Sequence, residues 1–312
     1  HFTGAHPGTF DSGHGDFCHR TDGLSLSRGA LICGIGDDIE VTLNHCAITN
    51  MSGFRPAIYL IANLPLRGLN DNKHLNKDAL QSRFSKFVDF RALHTLFRGI
   101  RTRNPTNLYT QSSDKGQHSQ GAVLHVFGAD GNRSVVIDGC TFEGNDALAG
   151  GSIVNVLFIT SSKWMESFDP GFAVASDWFN NSKYHQRAVI SRSTFKNNSY
   201  NRNHAVNLVG LNNVTIEHSN FVANKRFCRS ENSACNNNEN SGEGTLNGAA
   251  VGLQDNALVR IDNTTFVGNE NLRDKKGHGH GTFGAAMAAF AGTWQDGFQL
   301  PNWDGIMFVN VT

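Results

Sequence analysis

The sequence predicts an all-β fold, a parallel β-helix, and three observations predict it. One pattern recurs along the chain. Both halves of it alternate apolar and polar residues, which is strand periodicity. Its shortest spacing, about 22 residues, is too short for a helical hairpin repeat and carries no leucine-rich signature. The pattern is a Gly-Ala-apolar stretch, a variable connection, then apolar-x-apolar-x-x-(Ser/Thr/Cys)-x-Phe-x-x-Asn. Strands this short, all running one way, cannot bury a face alone. Stacked at the ~4.8 Å strand spacing, they pair in parallel and enclose a core.

The whole chain, 1–312, reads as one solenoid domain. Residues 1–28 form an N-terminal cap or a preceding coil, and 29–312 carry the repeats. A weak copy opens at 29–50, GALICGIGDDIEVTLNHCAITN. Residues 121–145 read GAVLHVFGADGNRSVVIDGCTFEGN, and 151–198 hold a copy split by a long insertion. The copy at 204–224 is HAVNLVGLNNVTIEHSNFVAN, and 248–269, GAAVGLQDNALVRIDNTTFVGN, is the cleanest. In that last copy Val259, Ile261, Thr264 and Phe266 face inward and Arg260 and Asp262 outward, with a bend at Asp262-Asn263. The same bend falls at Asp138-Gly139, Ser191-Arg192 and Glu217-His218.

Stacking turns the inward positions into ladders. Ile137, Ile190, Ile216 and Ile261 make one, and Phe142, Phe195, Phe221 and Phe266 a second, which uses part of the excess of 22 Phe over 4 Tyr. Asn145, Asn198, Asn224 and Asn269 make a third. A buried Asn satisfies turn backbone groups and bonds to its neighbours above and below.

Four connections are long: 62–120, 156–186, 225–247 and 270–283. The first is basic, with ten Lys/Arg against four Asp. Ala79-Leu80, Phe84, Phe87-Val88 and Ala92 fit one short amphipathic helix there. Phe90, Ala92, Thr95 and Phe97 equally fit a degenerate coil, and both readings stand. Its charge suits a solvated face or an acidic polysaccharide. Trp164, Phe168, Phe172 and Trp178 in the second connection suit packing on the coil beneath or stacking on sugar rings.

Composition narrows the function classes. Lys plus Arg equals Asp plus Glu at 27 each, so no global field favours nucleic acid or a membrane surface. No apolar run approaches the ~20 residues of a membrane span. Six cysteines, an even number, fit an oxidising compartment and a secreted or cell-surface location. Cys228 and Cys235 share one Asn-rich loop and are expected to pair. Cys46 and Cys140 occupy equivalent inward positions, and suit a disulfide if their coils are adjacent but not across an intervening coil at ~10 Å. Cys18 and Cys33 remain candidates for each other. Seven Asn-x-Ser/Thr sequons begin at Asn50, Asn132, Asn180, Asn197, Asn213, Asn263 and Asn310, and are candidate N-glycosylation sites.

Candidate chemistry is sparse. Gly277-His278-Gly279-His280-Gly281 and Gly13-His14-Gly15 sit in Gly/His loops, and Asp37-Asp38 is the sole Asp pair. The outward Asp138, Glu217 and Asp262 lie roughly on one face, with Ser191 between the first two. Carboxylates in register can serve acid/base work, and they are also ordinary solubilising residues. His278 and His280 have no carboxylate or Cys to complete a ligand set, so no metal and no cofactor is expected, and no catalytic residue is assigned.

The pairing of Phe142-Glu143-Gly144-Asn145 with Gly150-Gly151-Ser152-Ile153 resembles the FxxN and GGA(I/L/V) repeats of chlamydial polymorphic membrane proteins. More broadly the chain resembles right-handed parallel β-helix proteins of the pectin-lyase-like superfamily, over about residues 29–312. The resemblance implies a right-handed solenoid. It leaves function open between adhesins and surface filaments on one side and polysaccharide lyases, hydrolases and epimerases on the other. The GGxI motif softens to Gly248-Ala249-Ala250-Val251 and Gly284-Ala285-Ala286-Met287 in later copies.

Residues 306–312, IMFVNVT, align with 135–141, VVIDGCT, one position short of a ladder Phe. The expectation is a longer solenoid or head-to-tail self-association. The preferred reading is a secreted, N-glycosylated structural module of an extracellular filament or adhesin. A carbohydrate-active enzyme is the alternative, and its mark would be carboxylates and a basic residue gathered in one groove.

Overall fold

The computed structural model describes residues 2–3, 31–36, 39–53, 56–62, 87–102, 122–128, 132–147, 152–158, 186–200, 204–211, 213–227, 250–254, 256, 258–272, 286–290, 305–309 and 311–312. Among these there is no helix, and the strands stack in parallel. After β1 (Phe2–Thr3), each full coil contributes four strands. The first coil is β2 (Ile32–Gly36), β3 (Ile39–Asn44), β4 (Ala47–Thr49) and β5 (Ser52–Gly53). The second is β6 (Ile58–Ala62), β7 (Phe87–Leu93), β8 (Leu96–Arg98) and β9 (Arg101–Thr102). The third is β10 (Leu124–Gly128), β11 (Asn132–Asp138), β12 (Thr141–Glu143) and β13 (Asp146–Ala147). The fourth is β14 (Val154–Phe158), β15 (Gln186–Ser191), β16 (Thr194–Lys196) and β17 (Ser199–Tyr200). The fifth is β18 (Val206–Val209), β19 (Asn213–Glu217), β20 (Asn220–Val222) and β21 (Lys225–Phe227). The sixth is β22 (Val251–Gln254), β23 (Leu258–Asp262), β24 (Thr265–Val267) and β25 (Glu270–Leu272). Then come β26 (Met287–Phe290) and β27 (Gly305–Val309).

From β2 on, each strand pairs with the one four places on, and β1 pairs with β4, so four sheets run along the stack. Sheet 1 is β2-β6-β10-β14-β18-β22-β26, and sheet 2 runs from β3 to β27. Sheet 3 runs from β1 through β4 to β24, and sheet 4 from β5 to β25.

Two columns of left-handed residues make the corners. Between sheets 2 and 3 the chain turns at His45, His94, Gly139, Arg192, His218 and Asn263, all with φ between 43° and 61°. Between sheets 3 and 4 it turns at Asn50, Gly99, Gly144, Asn197, Ala223 and Gly268. Gly and Asn take this conformation at least cost. At Gly139 a Cβ would lie 2.5 Å from Nδ1 of the exposed His94 ring, which would have to shift.

The expected ladders stand in register. Ile137, Ile190, Ile216 and Ile261 are successive partners, each at most 1% exposed. Phe142, Phe195, Phe221 and Phe266 stack with ring centroids 4.4–5.0 Å apart, and Phe97 extends the stack downward at 4.7 Å. In the Asn ladder one chemistry repeats at every step. Asn198 Oδ1 accepts from the backbone N–H and the Nδ2 of Asn145, both at 3.0 Å, while Asn198 Nδ2 donates to Phe142 O. Asn224 does the same to Asn198, and Asn269 to Asn224. Beneath Asn145 the column holds buried Ile100 and Met51.

A second polar ladder fills the other corner: Cys46, Thr95, Cys140, Ser193, Ser219 and Thr264. Thr95, Ser193, Ser219 and Thr264 donate their hydroxyls to the carbonyl two residues back, at 2.8–2.9 Å. Thr95, Ser193 and Ser219 also accept from an amide of the coil below. Buried backbone groups at a corner need such partners, which explains a column of hydroxyls and thiols.

The long connection expected at 62–120 contains a coil. β7 and β8 put Phe90, Ala92, Thr95 and Phe97 in inward positions, all 1% exposed or less. The helical reading therefore fails over Phe87-Val88 and Ala92: Val88 and Ala92 pair as strand residues on both sides, and Phe87 pairs with Asn132. Ala79-Leu80 and Phe84 lie outside the described residues. The other three connections are shorter than expected at one end, because β14, β21 and β25 continue the sheets into them.

Candidate functional site

Two polar rows on the stack are candidates for chemistry. The first follows the edge between sheets 2 and 3. Asp138, Ser191, Glu217 and Asp262 are successive partners in register, as the sequence suggested, and Ser191 separates Asp138 from Glu217. Beside them run the exposed corner residues Arg192 and His218, and lower down His45 and His94 stack at 4.9 Å.

Two of the three carboxylates of this row, Asp138 and Asp262, are engaged. Ser191 Oγ donates to Asp138 Oδ1 at 2.7 Å, and the Arg192 guanidinium bonds Asp138 Oδ2. Burial pushes the Asp138 carboxyl upward, but the Arg192 and Ser191 hydrogen bonds outweigh it and hold it below the ordinary range. Asp138 is therefore ionised at neutral pH, the opposite of what a general acid needs. Asp262 is 9% exposed and bonded through Oδ2 to Arg260 Nη2 at 2.8 Å; its Oδ1 is buried without a partner. Glu217 and Asp262 sit one strand spacing apart, ~4.8 Å along the stack.

The second row lies on sheet 1, and the sequence reading missed it. Tyr59, His125, Asn155, Asn207 and Gly252 are successive partners. Their strand neighbours, such as Val154 and Val156, fill the core. Alternation points the row outward, yet Tyr59, His125, Asn155 and Asn207 are at most 8% exposed. Tyr59 stacks on His125 at 5.1 Å. Asn155 Nδ2 donates to His125 Nδ1 at 3.0 Å, and Asn207 Nδ2 donates to Asn155 Oδ1 at 2.8 Å. This direction makes Nδ1 an acceptor and puts the proton of a neutral His125 on Nε2. At the next step the His204 ring occupies the place of a side chain: a Cβ on Gly252 would lie 1.9 Å from its Cδ2. The signal was present, since the residue between two apolar ones in each Gly-Ala stretch is Tyr, His, Asn, Asn and then Gly. Burial keeps this row from contact with a polymeric substrate.

Sheet 4 adds a buried pair, Tyr200 and Arg226, which are cross-strand partners. Burial pushes the Arg226 guanidinium down to about 10 and the Tyr200 phenol upward. Among the described residues no group of three or more His, Cys, Asp or Glu is placed to hold a metal ion. Nor is any helix long and apolar enough to cross a membrane.

The cysteine expectations divide. Cys46 and Cys140 are free thiols, which overturns their pairing as a disulfide: the coil carrying Thr95 lies between them. Two strand spacings, ~10 Å, exceed disulfide reach. Burial pushes the Cys140 thiol up to about 11. Cys33 is disulfide-bonded. With Cys46 and Cys140 free, its partner is Cys18, Cys228 or Cys235, all outside the described residues.

Of the sequons, Asn50, Asn197, Asn213 and Asn263 have exposed side chains, and three of these occupy left-handed corners. Asn132 begins β11, and Asn180 and Asn310 lie outside the described residues. So do both Gly/His loops, Asp37-Asp38, and Trp164, Phe168, Phe172 and Trp178. Of the basic residues in 62–120, Arg91 pairs with Asp89 and Arg98 with Glu143, both at 2.7 Å.

No family model, no curated protein and no solved structure matches this chain.

Proposed function

We propose that this chain is a structural module of an extracellular or cell-surface filament or adhesin, secreted and N-glycosylated at exposed sequons. One observation carries the reading. The Phe, Ile and Asn columns and the hydroxyl corner run in register through successive coils, with their polar groups spent on one another. A continuous ladder of this kind commits its buried polar groups to structure. The disulfide at Cys33 and the exposure of Asn50, Asn197, Asn213 and Asn263 support passage through a secretory pathway. A self-associating or longer solenoid suits the same role, as does an acidic polysaccharide bound at a basic connection.

The alternative, a carbohydrate-active enzyme, is favoured by the spacing of Glu217 and Asp262. The two are register partners on adjacent strands, and glycoside hydrolysis uses a pair of nearby carboxyls. The test pairs activity with mass. The protein and Glu217→Gln are incubated with panels of acidic and neutral polysaccharides, and native-source material is weighed intact before and after N-deglycosylation. The scaffold reading expects no turnover and a mass loss on deglycosylation. Turnover abolished by Glu217→Gln would establish the enzyme instead.

A further inference from the structure

The buried row on sheet 1 has two available senses, and one proton chooses between them. A carboxamide offers a donor on one side and an acceptor on the other, so a row of them runs one way or the reverse. Here both amides send their nitrogens toward His125. Asn155 Nδ2 donates to His125 Nδ1 at 3.0 Å, and Asn207 Nδ2 donates to Asn155 Oδ1 at 2.8 Å. Tyr59 closes the lower end, its ring stacked on His125 at 5.1 Å. Above Asn207 the row holds Gly252, where the His204 ring takes the place of a side chain. Tyr59, His125, Asn155 and Asn207 are at most 8% exposed, so bulk water does not freely replace a lost partner.

A second proton on the imidazole makes Nδ1 a donor. It then faces Asn155 Nδ2, donor against donor. Asn155 relieves the conflict by turning its carboxamide over, which puts Oδ1 where Nδ2 was. That turn brings Asn155 Nδ2 against Asn207 Nδ2 and repeats the conflict one coil up. Asn207 must turn over as well, and its Nδ2 then points toward Gly252 and the His204 ring. A partial reversal leaves two donors facing each other in a buried row, and stranded buried donors are costly. The row therefore reverses as a unit. Nitrogen and oxygen of a carboxamide are nearly equal in size, so the strand register holds in both senses.

We propose that this row is an acid-responsive switch: protonation of His125 reverses Asn155 and Asn207 and carries the change two strand spacings, ~10 Å, along sheet 1. Among the described residues, the strands packed against β10 carry no charged side chain. β6 brings Tyr59, its one titratable group, and β14 brings Asn155. On β10 itself the flanking Leu124 and Val126 lie in the core. His204 is the other imidazole of the row, at its far end. The inference stands apart from the choice between scaffold and enzyme.

The test follows the full chain, labelled with nitrogen-15 and carbon-13, by NMR through an acid titration. Imidazole nitrogen shifts report the protonation of His125 Nδ1 and Nε2, and side-chain amide resonances report Asn155 and Asn207. The expected result at neutral pH is an unprotonated Nδ1. On acidification the Asn155 and Asn207 amides shift with the midpoint of the imidazole, while the Asn145 and Asn198 amides of the other ladder stay still. In Asn155→Asp the ionised side chain only accepts, so it favours the protonated imidazole and raises the midpoint by about one pH unit or more. A protonated Nδ1 at neutral pH overturns the proposal. So does an imidazole that titrates without moving Asn207, one that stays neutral until the chain unfolds, or an unchanged midpoint in folded Asn155→Asp. If that variant does not fold, the wild-type titration decides by itself.

Discussion

Asn198→Ala probes the middle of the amide ladder, and its cost follows from four hydrogen bonds. The substitution removes the acceptor of the Asn145 N–H and Nδ2, both at 3.0 Å. It also removes the donor to Phe142 O at 3.0 Å and to Asn224 Oδ1 at 2.9 Å. Asn145 Nδ2 keeps its bond to Phe97 O, and Asn224 Oδ1 keeps the bond from the residue 198 backbone. Two donor hydrogens on Asn145 are left without partners at a residue only 1% exposed. Each stranded buried donor costs ~1–3 kcal/mol, so the expected loss for two is about 2–6 kcal/mol. Asn269→Ala strands the equivalent pair on Asn224, but Asn269 is itself 9% exposed, so water can reach the site. It should cost roughly 1–2 kcal/mol less. Urea unfolding of both variants beside wild type, with midpoints compared at a common slope, measures the difference. Equal midpoints for Asn198→Ala and wild type would refute the ladder as a source of stability. A larger loss at Asn269 than at Asn198 would refute the argument from burial.

Phe221→Ala removes a fully buried ring stacked on both sides, at 4.9 and 5.0 Å, and should cost ~3–5 kcal/mol in the same urea assay. Cys140→Ser should stay within about 1 kcal/mol of wild type, because Ser193 and Ser219 already fill this column with the same bonds. In native protein at pH 8 the Cys140 thiol, raised to about 11 by burial, should resist a thiol reagent until urea unfolds the chain. Ala223→Gly should raise stability by about 0.5–1 kcal/mol, since Ala223 holds φ at 51° where Gly carries no Cβ penalty. Asp138 has a folded pKa below its unfolded value, so its stabilising contribution is present above ~4 and lost as pH falls through the lower folded pKa. Arg192→Gln should flatten that acid-side loss in unfolding curves taken across this window, and an unchanged profile would contradict the assignment.

The periodicity of the sequence determined the architecture. A side chain that recurs once per coil must meet its own equivalents at the strand spacing, so the Ile, Phe and Asn columns were legible without coordinates. The bends at Asp138-Gly139, Ser191-Arg192, Glu217-His218 and Asp262-Asn263 were legible too, because a change of inward parity marks a corner. The coil at 87–102 stood as only one of two readings, because Ile100 stands where the pattern requires Asn. With that coil undecided, the Cys46–Cys140 pairing stayed open too, and the intervening Thr95 forbids it.

Other properties belong to the tertiary structure alone. A sequence gives the parity of Tyr59, His125, Asn155 and Asn207 but not what lies over them, so an outward row reads as exposed when it is buried. It gives the carboxylates at Asp138, Glu217 and Asp262, but not that Ser191 and Arg192 hold Asp138 ionised or that Arg260 occupies Asp262. Repetition fixes which residues stack, because stacking depends only on spacing along the chain. Burial and ion pairing depend on which coils become neighbours and on what covers them, and that is settled only when the whole stack is built.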